Sequence, residues 1–242
     1  MKIIETISKS FLNLLYPLHC PTCMKALEAS NEFGVCDYCL SRIVLTPKPY
    51  CASCGRSLQS PGAQCAECRK TKNHFARAYA VCLYDGVLKE LIHTFKYEGR
   101  LSLSKILVKL AVDFIRNNTG TAGHIDLVTF VPLHKKRLMT RGFNQSEILA
   151  SGVARGLGIP FAATLEKTLV TRHQNELARS DRLVNLKGAF RVTDGALAKI
   201  KGLRILLIDD VMTTGATVNE CARELIEAGA AEVRCLTLAR GI

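Results

Sequence analysis

Residues 204–239 read RILLIDDVMTTGATVNECARELIEAGAAEVRCLTLA. Arg204–Ile208 ends in an unbroken apolar run from Ile205, the pattern of a strand covered on both faces in a parallel sheet. Asp209 and Asp210 stand at its carboxyl end. Thr217–Ala228 is expected to be a helix, with Val218, Cys221, Ala222, Leu225 and Ile226 on one face and Gly229 as its stop. Glu232–Ala239 follows as a second strand. The stretch is thus a βαβ unit, and open α/β sheets bind ligands beyond the carboxyl ends of their strands.

The connection between strand and helix, Val211, Met212, Thr213, Thr214, Gly215, Ala216 and Thr217, is rich in hydroxyls and free N–H groups. A helix amino terminus furnished this way attracts an anion, because the aligned peptide dipoles place partial positive charge there. Gly215 lets the backbone approach a phosphate closely. The two carboxylates beside it suit the vicinal hydroxyls of a ribose, or a Mg²⁺ ion. Phosphate next to diol describes a ribose 5-phosphate. An ordinary capped helix would account for TTGAT alone, but not for two acids just upstream on a buried strand. The stretch lacks G-x4-G-K-[ST], which excludes a Walker-type ATPase.

Moving toward the amino terminus, strand and helix patterns alternate. Ala78–Tyr84 and Ile125–Val131 read as strands, and Val87–Phe95, Leu101–Ile115 and Asn144–Gly156 read as helices. Residues 76–242 are therefore expected to form an α/β domain with a mostly parallel sheet. After Val131-Pro132 the chain breaks into a basic turn carrying Lys135, Lys136, Arg137 and Arg141. Asn144 is a candidate N-cap. In HTFKYEGR, Lys96, Tyr97 and Arg100 mix aromatic and basic character, which suits single-stranded nucleic acid; a helix end with Phe95 in the core is the plainer alternative.

Residues 1–75 have a different grammar. Eight of the eleven cysteines form four knuckles: Cys20 and Cys23, Cys36 and Cys39, Cys51 and Cys54, Cys65 and Cys68. The intervals between knuckles are twelve, eleven and ten residues. Each C-x2-C turn aims two thiolates at one ion, and two turns complete a tetrahedron, so two structural Zn²⁺ ions are expected. Short loops favour pairing each knuckle with the next, with a cross-brace as the alternative. Every ligand position is a cysteine, which leaves no open site for catalysis. Gly55 supplies the positive φ that a knuckle turn needs. Ahead of the knuckles, Ile3, Ile4, Ile7, Phe11, Leu14 and Leu15 recur at helical spacing up to Pro17. This is read as a helix packed on the ribbons or on the main domain, with a membrane-surface helix as the alternative that its few basic residues disfavour.

The 242 residues are 48 % hydrophobic and 22 % charged, ordinary globular values that exclude disorder, collagen and coiled coil as global descriptions. No apolar run approaches the roughly 20 residues of a membrane span, and Glu5, Ser8, Lys9 and Asn13 interrupt any signal-peptide core. A cytoplasmic protein is expected. The net charge of +12 favours polyanionic partners. Residues 1–75 hold nine Lys/Arg against five Asp/Glu, a balance of +4. Eight thiolates around two divalent ions cancel that balance, which leaves about +8, all on residues 76–242.

The segment from Asp209 to Thr217 closely resembles the loop by which type I phosphoribosyltransferases hold phosphoribosyl pyrophosphate (PRPP). Together with the cysteine knuckles, FKYEGR, VPLHKKR…RGFNQ, T-x2-Q and R-x2-N-x2-G-x-F, it makes nearly the whole chain similar to the ComF family of competence proteins. The matching positions are Phe95, Lys96, Tyr97, Gly99, Arg141, Gly142, Phe143, Asn144, Gln145, Thr171, Gln174, Arg182, Asn185, Phe190 and Asp209–Thr217. Leu169 stands where the family usually has a basic residue, while Lys167 keeps the other. The resemblance implies that Asp209 and Asp210, the candidate catalytic residues, contact the ribose hydroxyls, and that Thr213–Thr217 hold the 5-phosphate. It implies pyrophosphate at the basic loop and Mg²⁺ entering with PRPP; residues 171–190, long, basic and without core periodicity, are expected to include a mobile loop that closes over the ligand. It further implies a role in uptake of transforming DNA, with single-stranded DNA and a competence helicase as partners. A metabolic phosphoribosyltransferase with another acceptor and a non-catalytic PRPP sensor are the alternatives.

Overall fold

A computed structural model describes residues 18–28, 30–60, 64–118, 123–169, 186 and 188–241. The helix expected before Pro17, and the matching positions Thr171, Gln174, Arg182 and Asn185, lie outside these residues, as does most of the expected closing loop. The elements in chain order are the single turns α1 (Asp37–Leu40) and α2 (Ala66–Lys70), then β1 (Arg77–Leu83), α3 (Gly86–Tyr97), a 3₁₀ turn (Leu101–Leu103) running into α4 (Ser104–Asn117), β2 (Leu127–Phe130), α5 (Lys135–Arg141), α6 (Gln145–Leu157), β3 (Leu165–Lys167), β4 (Phe190–Val192), α7 (Asp194–Leu197), β5 (Arg204–Met212), α8 (Ala216–Glu227) and β6 (Glu232–Arg240).

The main sheet has strand order β1-β6-β5-β2 and is parallel throughout. Alternate residues of each strand feed two buried layers. Leu206, Ile208, Leu236 and Leu238 join Leu91, Leu107 and Leu149 of α3, α4 and α6 on one face. Ile205, Leu207, Val233 and Cys235 join Val218, Cys221 and Leu225 of α8 on the other. Both faces being covered is why these strands read as apolar runs and not as alternations.

Three elements differ from the sequence reading. β5 does not stop at Ile208: its ladder with β6 continues through Asp209↔Thr237 to Met212↔Arg240, so both acids lie within the strand. The basic turn is a helix, α5, capped by the His134 side chain, which accepts from the Lys136 N–H, and closed by Gly142 at φ 82°. The antiparallel pair β3–β4 was not anticipated, because its three-residue strands are too short to show a period.

The cysteine-rich segment is built onto the sheet. Between its two halves, the Thr46 N–H donates to Val81 O (3.0 Å) and the Leu83 N–H to Val44 O (3.0 Å), so this segment covers the outer edge of β1. Cys20, Leu27, Val35, Cys36 and Cys39 share one buried layer with Tyr79, Val81 and Leu103. Nearer the start of β1, the Ala78 N–H donates to Ser53 O (2.7 Å). There Gly55, at φ 69°, lies so close that a Cβ would sit 2.6 Å from Ala78 O. Gly55→Ala should therefore cost about 1–3 kcal/mol, from the left-handed backbone and the overlap together. Thermal unfolding checks this; an unchanged midpoint would mean that the segment is not docked on β1 in solution.

Candidate ligand cleft and zinc sites

The carboxyl end of β5, the amino end of α8, the carboxyl end of α3, helix α5 and the β3–β4 pair surround one cleft of about 690 Å³. That volume suits a phosphorylated sugar or nucleotide. The cleft lining includes every residue from Asp209 to Thr217, together with Lys96, Tyr97, Lys136, Arg137 and Arg141. Thus the sugar-phosphate and most of the basic candidates converge. Two candidates do not. Lys135 is exposed and outside the lining. Arg100 turns away and donates to His19 O (2.7 Å), tying the end of α3 to the first knuckle.

Gly215 sits at φ 84° as the residue before α8, a conformation few side-chain-bearing residues adopt. This kink turns the chain from β5 into α8, whose first residues Ala216, Thr217 and Val218 line the cleft. The Thr214 hydroxyl accepts from the Ala216 N–H at 3.3 Å. Asp209 accepts from the Ser146 hydroxyl (2.9 Å) and from the Asp210 N–H (2.9 Å). Asp210 accepts from the Val211 N–H (2.6 Å) and pairs with the Lys96 ammonium at 2.7 Å. Loss of water around Asp209, and then the charge of Asp210, push its carboxyl up to about 7. Burial acts to lower the Lys96 pKa, but the contact with Asp210 outweighs it and the pKa is raised.

The RGFNQS segment organises the opposite wall. Asn144 caps α6 through the Ser146 N–H and also donates to Val131 O (3.1 Å), fixing α6 to the exit of β2. Gln145 accepts from Arg141 (2.6 Å), whose guanidinium also lies 5.1 Å from the centre of the Tyr97 ring. Sequence reasoning missed Ser146, since a serine in the first turn of a helix looks like nothing but a polar cap neighbour. It also gave Lys167 no role beyond the family pattern. In the structure Lys167 lines the cleft, 5.1 Å from the Phe190 ring centre, and burial followed by the charge of Arg137 lowers its pKa to about 8.

The cysteines gather as sequential pairing expects: Cys20, Cys23, Cys36 and Cys39 in one cluster, Cys51, Cys54, Cys65 and Cys68 in the other, with sulfurs in each all within 4.8 Å. The Cys23–Cys36 and Cys54–Cys65 sulfur separations are 3.5 and 3.7 Å. Tetrahedral Zn–S bonds of about 2.3 Å require roughly 3.8 Å, so both clusters fit zinc. The Cys65 N–H donates to Cys51 Sγ at 3.3 Å, and the Asn73 amide lies 3.6 Å from Cys68 Sγ, the supporting bonds expected around metal thiolates. Carboxylate oxygens at Asp209 and Asp210 are of the kind Mg²⁺ takes, but Lys96 already occupies part of that donor set. Among the described residues no helix is long and apolar enough to cross a membrane.

Comparison with known proteins matches two family models, a double zinc ribbon domain over residues 11–77 and a phosphoribosyl transferase domain over residues 144–242. DNA utilization protein YhgH of Salmonella typhimurium is 32 % identical over 231 residues, covering 94 % of this chain and 99 % of its own length. Competence protein F of Haemophilus influenzae is 30 % identical over 230 residues, covering 93 % and 98 %. Competence protein ComFC of Bacillus subtilis is 31 % identical over 215 residues, covering 85 % and 84 %. With the ribbons at one edge of a parallel sheet and the acid pair, glycine kink and basic helix around one cleft, the chain belongs to the family of competence protein F, ComFC and YhgH.

Proposed function

We propose that the cleft binds PRPP and that the protein acts in the uptake or utilisation of DNA, engaging single-stranded DNA. One observation carries the ligand: a pair of acids at the end of β5 and the amino end of α8 open into the same cleft as the basic helix α5. Asp209 and Asp210 accept the two ribose hydroxyls, Thr213–Thr217 donate to the 5-phosphate, and Lys136, Arg137 and Arg141 face the diphosphate. A Mg²⁺ ion bound with PRPP supplies charge neutralisation at the diphosphate. The DNA role rests on the names of the relatives and on the positive charge left on residues 76–242 once zinc neutralises the ribbons. A competence helicase or DNA-processing protein is the partner that the resemblance adds. Calorimetric titration of PRPP with Mg²⁺ tests the ligand. Release of pyrophosphate with and without single-stranded DNA tests for transfer. Absence of PRPP binding by the zinc-loaded protein overturns the reading.

The DNA contact has its own signature. Affinity should fall steeply with salt, because each neutralised phosphate releases condensed counterions. Replacing Lys135, Lys136 and Arg137 together by Ala should reduce the slope of log K against log salt for single strands by about 2, at roughly 0.7 per phosphate contact. A salt titration by fluorescence anisotropy reads this, and an unchanged slope would remove α5 from the DNA surface.

A further inference from the structure

Lys96 is a nucleic-acid candidate by sequence, yet its side chain is only 16 % exposed and lines the cleft. Its ammonium lies 2.7 Å from Asp210 Oδ2, while Asp210 Oδ1 accepts from the Val211 N–H. One oxygen of Asp210 thus accepts a backbone N–H, and the other, buried and without a hydrogen bond, meets the ammonium as an ion pair. The lysine is delivered from a firmly seated helix: its neighbour Phe95 is fully buried, and Thr94 is buried beside it. Asp209 is held in turn by the Ser146 hydroxyl. The acid pair is thus a pre-formed set of acceptors already carrying a cation.

We propose that Lys96 is a resident counter-ion that keeps divalent cations off Asp210, so that a metal enters the cleft only on the phosphates of a ligand. A divalent ion approaching the free acid pair meets a fixed positive charge in contact with one carboxylate and must break that ion pair to coordinate it. A ligand whose phosphates already carry the metal needs only hydroxyl–carboxylate bonds at this position. Lys96 is accordingly a positioning residue for the acid pair. The inference concerns the acids and the lysine; only the identity of the incoming ligand rests on the PRPP reading.

Mn²⁺ serves as the probe, titrated by electron paramagnetic resonance into the full-length, zinc-loaded protein with no sugar phosphate present. Wild type and Lys96→Arg should bind Mn²⁺ weakly. Lys96→Met should bind it at least roughly tenfold more tightly, since a unit positive charge about 4 Å from a divalent ion is worth more than that even at the screening of bulk water. Adding Asp210→Asn to Lys96→Met should abolish the gain. Lys96→Gln, which keeps a polar end without the charge, gives the same readout if the methionine variant does not fold. Equal Mn²⁺ affinity in wild type and the charge-free variant, or a gain that survives Asp210→Asn, overturns the proposal. Tighter Mn²⁺ binding by Lys96→Met with no PRPP binding by wild type would instead overturn the ligand assignment and leave the counter-ion role standing.

Discussion

Stripping both metal ions should unfold far more than the cysteine-rich segment. Metal analysis of the purified chain should find about two Zn per molecule, the number that two four-thiolate clusters require. Structural zinc contributes roughly 10–16 kcal/mol of apparent binding free energy per site, which is comparable to the entire stability of a domain, about 5–15 kcal/mol. Here that energy is not confined to the ribbons. Cys20, Cys36 and Cys39 lie in the same buried layer as Tyr79, Val81, Leu103 and Leu107. The outer edge of β1 depends on Val44 and Thr46 between the two ribbons. Cys36→Ser should therefore lower the unfolding midpoint of the whole molecule by about 10 °C or more, since each kcal/mol shifts a chain of this size by roughly 2–4 °C. A strong chelator should do the same. Equal melting with and without zinc, alongside eight freely reactive thiols in the ribbons, would reject the metal assignment.

The second large effect concerns the βαβ connection. Gly215→Val should abolish measurable PRPP binding in the folded protein. At φ 84° a β-branched side chain is strained, even though the nearest neighbour of a Cβ, Met212 Sδ, is 3.4 Å away and leaves room. Relaxing that strain moves the first turn of α8, which carries the N–H groups proposed to hold the phosphate. Asn at both Asp209 and Asp210 keeps the shape but removes the charge, so the hydroxyl–carboxylate bonds proposed for the ribose weaken and PRPP affinity should fall. Thr217→Val removes one hydroxyl donor to a charged acceptor, a loss of about 1.5–3 kcal/mol, or roughly ten- to a hundredfold in Kd. Calorimetry on variants with native circular dichroism decides the matter. Unchanged PRPP binding in both the double Asn and the Gly215→Val proteins would reduce the motif to a helix cap.

Much of this architecture is written in local pattern. Ile205–Ile208 declares a doubly covered strand because both layers demand apolar residues at consecutive positions. The cysteine knuckles declare their pairs because a two-residue turn leaves two sulfurs little freedom but to share an ion, whereas which knuckles share one is seen only in the fold. What escaped was set by contacts distant in sequence. Nothing around Ser146 indicates that its hydroxyl will reach Asp209, on a strand sixty-three residues away. Lys96 reads as a nucleic-acid candidate because it stands among aromatic and basic residues, and only the placement of β5 brings its ammonium against Asp210. The continuation of β5 through two aspartates runs against strand propensity, and it holds because β6 supplies the ladder on one side. These are cases of tertiary context overriding local preference at the place where a ligand is expected.

The strand order β1-β6-β5-β2 has a consequence for how the molecule is made. β6 comes last among the described strands, yet it lies between β1 and β5. During synthesis β1 emerges with the partner for its inner edge, Glu232–Arg240, still untranslated. Its outer edge has no such wait: Val44 and Thr46 have already left the ribosome, and zinc uptake by the flanking knuckles can order them at once. An open strand edge is a template for pairing with other chains. Zinc supply therefore governs how much of that edge a nascent chain exposes, and scarcity of the metal during translation would send this protein toward aggregates before its cleft ever forms.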